Sequence, residues 1–262
     1  MNEIMYDHSS FLIVALLFVV LIGATELGYR FGFSFAGKTT EPTKGQINTI
    51  QGSLLGVLAL LLGFTFSLSL QRFDTRSQAV IDEANAIGTA ILRADLLPES
   101  VRAETAEGLR AYLDLRVEAG AIPLNRAEER AALVSESARI VAAVWRNAAR
   151  AAEENPNPVT TGLFIQALNE MIDAYGTRDA ALDRHVPEPV LFLMFAAFIL
   201  TALLVGYASG VSGHRASFAT YILVTLVTFL VLIVIDLDRP RRGIIEVSQQ
   251  PLIDLQSSLE QL

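Results

Sequence analysis

QGSLLGVLALLLGFTFSLSLQRFDTRSQAVIDEANAIGTAILR, residues 51–93, is the stretch whose reading decides the fold. Gly52 to Leu70 carries no charged side chain. At 1.5 Å per helical residue this run rises about 28 Å, roughly one hydrocarbon core. From Gln71 onward charges enter, yet Phe73, Val80, Ala84, Ile87 and Ile91 keep to one helical face. No Pro lies between Thr43 and Pro98, and Gly88 is the only Gly between Gly63 and Pro98, so nothing strong breaks the helix. The stretch reads as one long helix that crosses a membrane and continues into water.

Within the span, Gly52, Gly56, Ala59, Gly63 and Ser67 recur at steps of three and four. Such a stripe lets a second backbone approach closely, as helices do in lipid. The partner is either another copy in a ring or a helix of the same chain.

The totals agree with a membrane protein. Of 262 residues 52% are hydrophobic, and the excess over an ordinary soluble domain sits in uninterrupted runs. The net charge of −8 gives nucleic acid no reason to bind. Cysteine is absent, which excludes disulfides and thiolate metal sites.

Outward from the central stretch, Phe11–Gly28 reads as a first span. It lacks the basic start and the small-residue cleavage site of a signal peptide, so it is expected to be retained. Glu26 lies four residues before Arg30, the spacing of an interfacial pair. Residues 31–47 read as a loop. Beyond Pro98, three helices are expected at about 99–118, 126–154 and 160–185. Residues 72–188 hold 13 Arg against 19 Asp and Glu, the composition of a solvated helical bundle. Val190–Tyr207 and Phe218–Ile235 read as the third and fourth spans, joined by a tight hairpin. Asp236, Asp238, Arg239, Arg241 and Arg242 follow at once and are expected to pair with one another. The apolar tail could lie on the membrane surface or pack on the bundle.

The expected architecture is all-α: spans one and two in 1–71, a helical extramembrane domain in 72–188, spans three and four in 189–236, and a tail in 237–262. Four spans put both termini and the domain on one side. Arg72, Arg76, Arg178, Arg184, Arg239, Arg241 and Arg242 flank that side, against Arg30, Lys38, Lys44 and Arg215 on the other. The positive-inside rule then puts termini and domain in the cytoplasm of a bacterium whose inner membrane holds the spans.

No P-loop, dinucleotide fingerprint, HExxH or GxSxG occurs. His8, His185 and His214 lie far apart in sequence. Neither an enzyme nor a bound cofactor or metal is expected. Glu83 and Asn85, beside the apolar stripe, read as a solvated or interhelical helix face.

Leu54–Phe64 (LLGVLALLLGF), followed by Arg72-Phe73 and Arg76, resembles the second helix of bacterial bestrophins. RFDTR and EANAIGTAILRADLLP within Arg72–Pro98, with LDRPRRGIIEVSQQPL at Leu237–Leu252, resemble the bacterial bestrophin-like membrane family DUF4239 over most of the chain. Bestrophins are pentameric anion channels whose second helices line the pore. The resemblance implies a constriction at Phe64, Leu60 and Gly56, where Gly56 departs from the apolar pattern and leaves its ring unlined. Leu60 and Phe64 fit a gate that works by dewetting. Arg72 and Arg76 would bias the mouth toward anions. At 100° per residue, however, Thr65, Ser69, Arg72 and Arg76 fall on the face opposite Leu60 and Phe64. No dense acidic run suits a calcium clasp.

Two readings stand from the sequence. One is a homo-oligomeric channel in the lipid bilayer. The other is a non-conducting membrane scaffold or regulatory protein whose helical domain binds a partner.

Overall fold

The computed structural model describes residues 9–122, 126–239 and 244–261. Among them run eight helices and no strand. These are α1 (Ser10–Phe33), α2 (Glu41–Ala94), α3 (Glu99–Ala121), α4 (Ala127–Glu154), α5 (Thr161–Leu182), α6 (Glu188–Val211), α7 (Phe218–Asp238) and α8 (Gln250–Leu259). Helices α1, α2, α6 and α7 are long and apolar enough to cross a membrane.

The central stretch is one uninterrupted helix of 54 residues. It starts earlier than expected, inside the segment read as a loop. Pro42 sits in its first turn, where a missing N–H costs nothing, Glu41 meets the helix dipole there, and the Thr40 carbonyl accepts the Lys44 N–H at 3.0 Å.

The chain divides into two compact units. The first combines Met1–Arg72 with His185–Arg239. Its core joins Val14, Leu17 and Leu21 of α1 to Leu58 and Leu62 of α2, Met194 and Phe198 of α6, and Val231 and Val234 of α7. Two buried hydroxyls are satisfied within their own helices, Thr25 donating to the Leu21 carbonyl at 2.9 Å and Thr228 to that of Val224 at 2.7 Å.

Helices α1 and α6 meet through glycine. A Cβ at Gly28 would lie 2.0 Å from the Leu203 carbonyl oxygen, and one at Gly206 would lie 2.0 Å from that of Thr25. Gly32 and Gly210 are equally close to Tyr207 and Tyr29. This is reciprocal small-residue packing at four-residue spacing, which lets dispersion act between backbones in lipid.

The second unit combines Phe73–Arg184 with Pro240–Leu262. The expected stripe of α2 forms its centre: Val80, Ala84, Ile87 and Ile91 are buried against Leu109 and Leu113 of α3, Val144 of α4, and Phe164, Leu168 and Met171 of α5. The tail takes the second of its two expected positions. Val247 and Leu252 are buried in the same cluster, and α8 packs on α3.

Candidate functional site

The two faces of α2 have different fates. Leu58, Leu62, Thr65 and Ser69 are buried, and Thr65 donates to the Leu61 carbonyl at 2.8 Å. The other face is largely uncovered by the described residues. Leu60 is 59% and Phe64 63% exposed. A Cβ on Gly52, Gly56 or Gly63 would meet no atom within 4 Å, and Ala59 and Ser67 are exposed too. Among the described residues the small-residue stripe therefore packs against no other helix, whereas α1 and α6 pack through their own glycines.

The polar continuation of α2 also differs by face. Arg76 is 1% exposed: its Nε donates to the Ala181 carbonyl at 3.1 Å and its Nη2 to that of Arg184 at 2.5 Å. Arg76 is thus not an open charge at a pore mouth, because its guanidinium ties α2 to the end of α5. Arg72 is half-buried. The exposed residues just past the apolar run include Gln71, Asp74, Thr75, Gln78, Ile81 and Asp82, with Gln78 donating to Asp82 at 2.9 Å. The charge that α2 offers outward there is acidic.

A buried ion cluster fixes the extension of α2 within its unit. Glu83 is 0% exposed. It accepts from Arg116 Nε at 2.6 Å and from Arg178 Nη1, while Arg178 Nη2 donates to Gln249 at 2.5 Å. The Arg116 guanidinium also lies 4.6 Å over the Tyr175 ring. Glu83 lies beyond the apolar run that ends at Leu70. Burial pushes its carboxyl up, but Arg116 and Arg178 together outweigh that and hold it below the usual carboxylate range. Burial and the nearby Glu83 carboxylate push the Tyr112 phenol up. One carboxylate between two guanidiniums is an anchor: Oε1 accepts from Arg116 and Oε2 from Arg178.

The interfacial residues lie in the first unit. Glu26 and Arg30 pair at 2.9 Å, with Arg215 3.7 Å from the same carboxylate. Asp236 is buried. Both carboxylate oxygens of Asp238 accept the Val186 N–H at 3.0 Å, and His185 Nδ1 lies 3.1 Å from the Asp238 carbonyl oxygen and 3.8 Å from its Oδ2. Arg239 donates to Ser10 Oγ at 2.9 Å. These contacts join the end of α7 to the start of α1 and the approach to α6. Arg241 and Arg242 lie outside the described residues.

Four membrane-length helices, a helical domain continuous with the second of them, and an unfilled apolar face on that helix define a polytopic helical membrane protein. The chain belongs to the bestrophin-like domain family, whose match covers residues 19–252. Solved bestrophin homologues from Klebsiella pneumoniae share its fold. One single-residue variant is 17% identical over 96% of this chain and 98% of that one, with a TM-score of 0.66. Another variant is 16% identical over 97% and 96%, with a TM-score of 0.68. A third homologue, solved by Zn-SAD phasing, is 17% identical over 93% and 97%, with a TM-score of 0.63. No curated protein matches the chain in sequence.

Sequence reading missed the pairs Gly28/Gly32 and Gly206/Gly210, although GYRFG and GYASG carry the four-residue spacing in plain view. It also placed Glu83 on a solvated or interhelical face without finding Arg116 and Arg178, which are remote in sequence.

Proposed function

We propose that the chain forms a homo-oligomeric ion pore, with copies of α2 around the axis. The reading rests on the uncovered face of α2, where Leu60 and Phe64 stand exposed beside glycines at which a Cβ would meet nothing within 4 Å among the described residues. Gly52, Gly56, Ala59, Gly63 and Ser67 seat the neighbouring copy, and Leu60 and Phe64 turn toward the axis. Two apolar rings one helical turn apart gate by dewetting. Gly56 leaves the third ring wide. The assembly is a pentamer, as the bestrophin resemblance implies.

The permeant charge follows the exposed groups of α2. An anion preference rested on Arg72 and Arg76, but Arg76 is committed to two carbonyls. Asp74 and Asp82 are the exposed charges, and rings of carboxylates favour cations. The pore therefore passes cations over anions. The Arg-rich flanks support a cytoplasmic side for the helical domain and both termini at a bacterial inner membrane.

Sodium and chloride flux from liposomes tests this, comparing the natural chain with Leu60→Ala plus Phe64→Ala. Larger cation flux in the double variant at unchanged oligomer mass supports the gate. No flux from either folded oligomer removes the pore and leaves the scaffold reading.

A further inference from the structure

The helical domain holds a feature that ion conduction does not use. A half-open cavity of about 450 Å³ lies among α3, α4 and α5. Tyr112, Trp145 and Tyr175 bring three aromatic rings to it. Ala138 and Ala142, one turn apart on α4, leave the space that larger side chains would fill. Ser137 also lines the cavity; it is 4% exposed, and its Oγ has no hydrogen-bond partner among the described residues.

These features select the occupant. Every lining side chain is uncharged. A bound ion would find no counter-charge in the wall, and the Arg116 guanidinium already lies over the Tyr175 ring, so a second cation there would be repelled. Water that enters from the open side finds few polar partners, because most of this wall is aliphatic or aromatic, and an apolar occupant displaces it readily. The volume lies within the range of small-molecule sites, where a few polar groups in an apolar wall fix orientation. Aromatic walls favour a flat ring, offset-stacked or edge-on. A buried hydroxyl without a partner gains most from one hydrogen bond.

We propose that this cavity binds a small uncharged molecule that has a planar aromatic ring and one polar group bonded to the Ser137 hydroxyl. The site belongs to the helical domain and does not depend on whether the spans conduct.

Trp145 is the only tryptophan, so its emission reports this cavity in the full-length oligomer. The probe is nitrobenzene, a neutral planar quencher whose oxygens accept hydrogen bonds. The natural chain is expected to show saturable quenching. Ser137→Ala should weaken it about 3- to 10-fold, the range of one neutral hydrogen bond. Ala138→Phe, which fills the space, should weaken it more than about 10-fold. Oligomer mass and helicity qualify each variant; where Ala138→Phe fails to fold, Ser137→Ala decides alone. Quenching that never saturates, or is equal in the natural chain and Ser137→Ala, overturns the proposal. So does a Trp145 that is shielded from acrylamide and unresponsive to nitrobenzene, because a second copy then fills the cavity.

Discussion

Glu83→Gln removes one negative charge and keeps the side chain's shape. It leaves Arg116 and Arg178 as two guanidiniums without a carboxylate, in a place where their side chains are 8% and 2% exposed. Breaking a buried pair from one side costs about 3–5 kcal/mol, because the remaining charge stays out of water unpaired. At about 2–4 °C per kcal/mol for a protein of this size, the melting temperature should fall by about 10 °C. Trp145, in the same unit, follows the transition by its emission. Replacing the whole trio with Glu83→Leu, Arg116→Met and Arg178→Leu should recover most of the loss, since apolar packing then substitutes for all three charges. The pH dependence has a definite sign. The carboxyl is held below its ordinary value of 4.5 in the fold, so its contribution is full above that value and is lost as pH falls through the folded one. The natural chain should lose stability in that acid window, and Glu83→Gln should lack this component. A Glu83→Gln protein that melts within about 2 °C of the natural chain would refute the reasoning.

Other perturbations separate the remaining contacts. Gly206→Ala pushes a methyl into the Thr25 carbonyl and should cost at least about 1–3 kcal/mol in thermal unfolding. Gly176→Ala, in open space on α5, should instead stabilise by about 0.5–1 kcal/mol. A Cβ at Gly63 meets nothing within 4 Å among the described residues beyond its own helix, so in Gly63→Leu helicity should persist while native mass spectrometry finds smaller assemblies; unchanged mass would count against the α2 interface. Asp238→Ala removes the two carboxylate oxygens that accept the Val186 N–H and should cost about 1.5–3 kcal/mol, read from the unfolding midpoint in detergent.

Where the sequence was legible, one strong local signal dominated. The charge-free run Gly52–Leu70 is long enough to cross a membrane and lies in a membrane-length helix, and the stripe Phe73, Val80, Ala84, Ile87 and Ile91 is periodic and is buried or partly buried in the second unit's core. The opposition of Leu60 and Phe64 to Thr65, Ser69 and Arg76 follows from helical geometry alone, and the structure has those two residues exposed and the other three buried. Tertiary pairing was not legible. Arg76 sits among charges in sequence, yet its guanidinium is used by carbonyls 105 and 108 residues away. Glu83 finds its guanidiniums 33 and 95 residues on. No local pattern encodes such partners. The start of α2 at Glu41 was hidden because Gly, Thr and Pro are turn residues as well as helix-start residues, and only the chain around them chooses between the two.

The central claim is that Leu60 and Phe64 face a water-filled path. The chain has no cysteine of its own, so Phe64→Cys provides a single reactive position. The decisive measurement is cation flux through Phe64→Cys liposomes before and after a charged, membrane-impermeant thiosulfonate reagent. The account predicts that modification changes flux sharply, while Leu62→Cys on the buried face does not react. Flux that is the same before and after treatment, with Phe64→Cys unlabelled by mass, would put that residue in lipid or protein and contradict the pore.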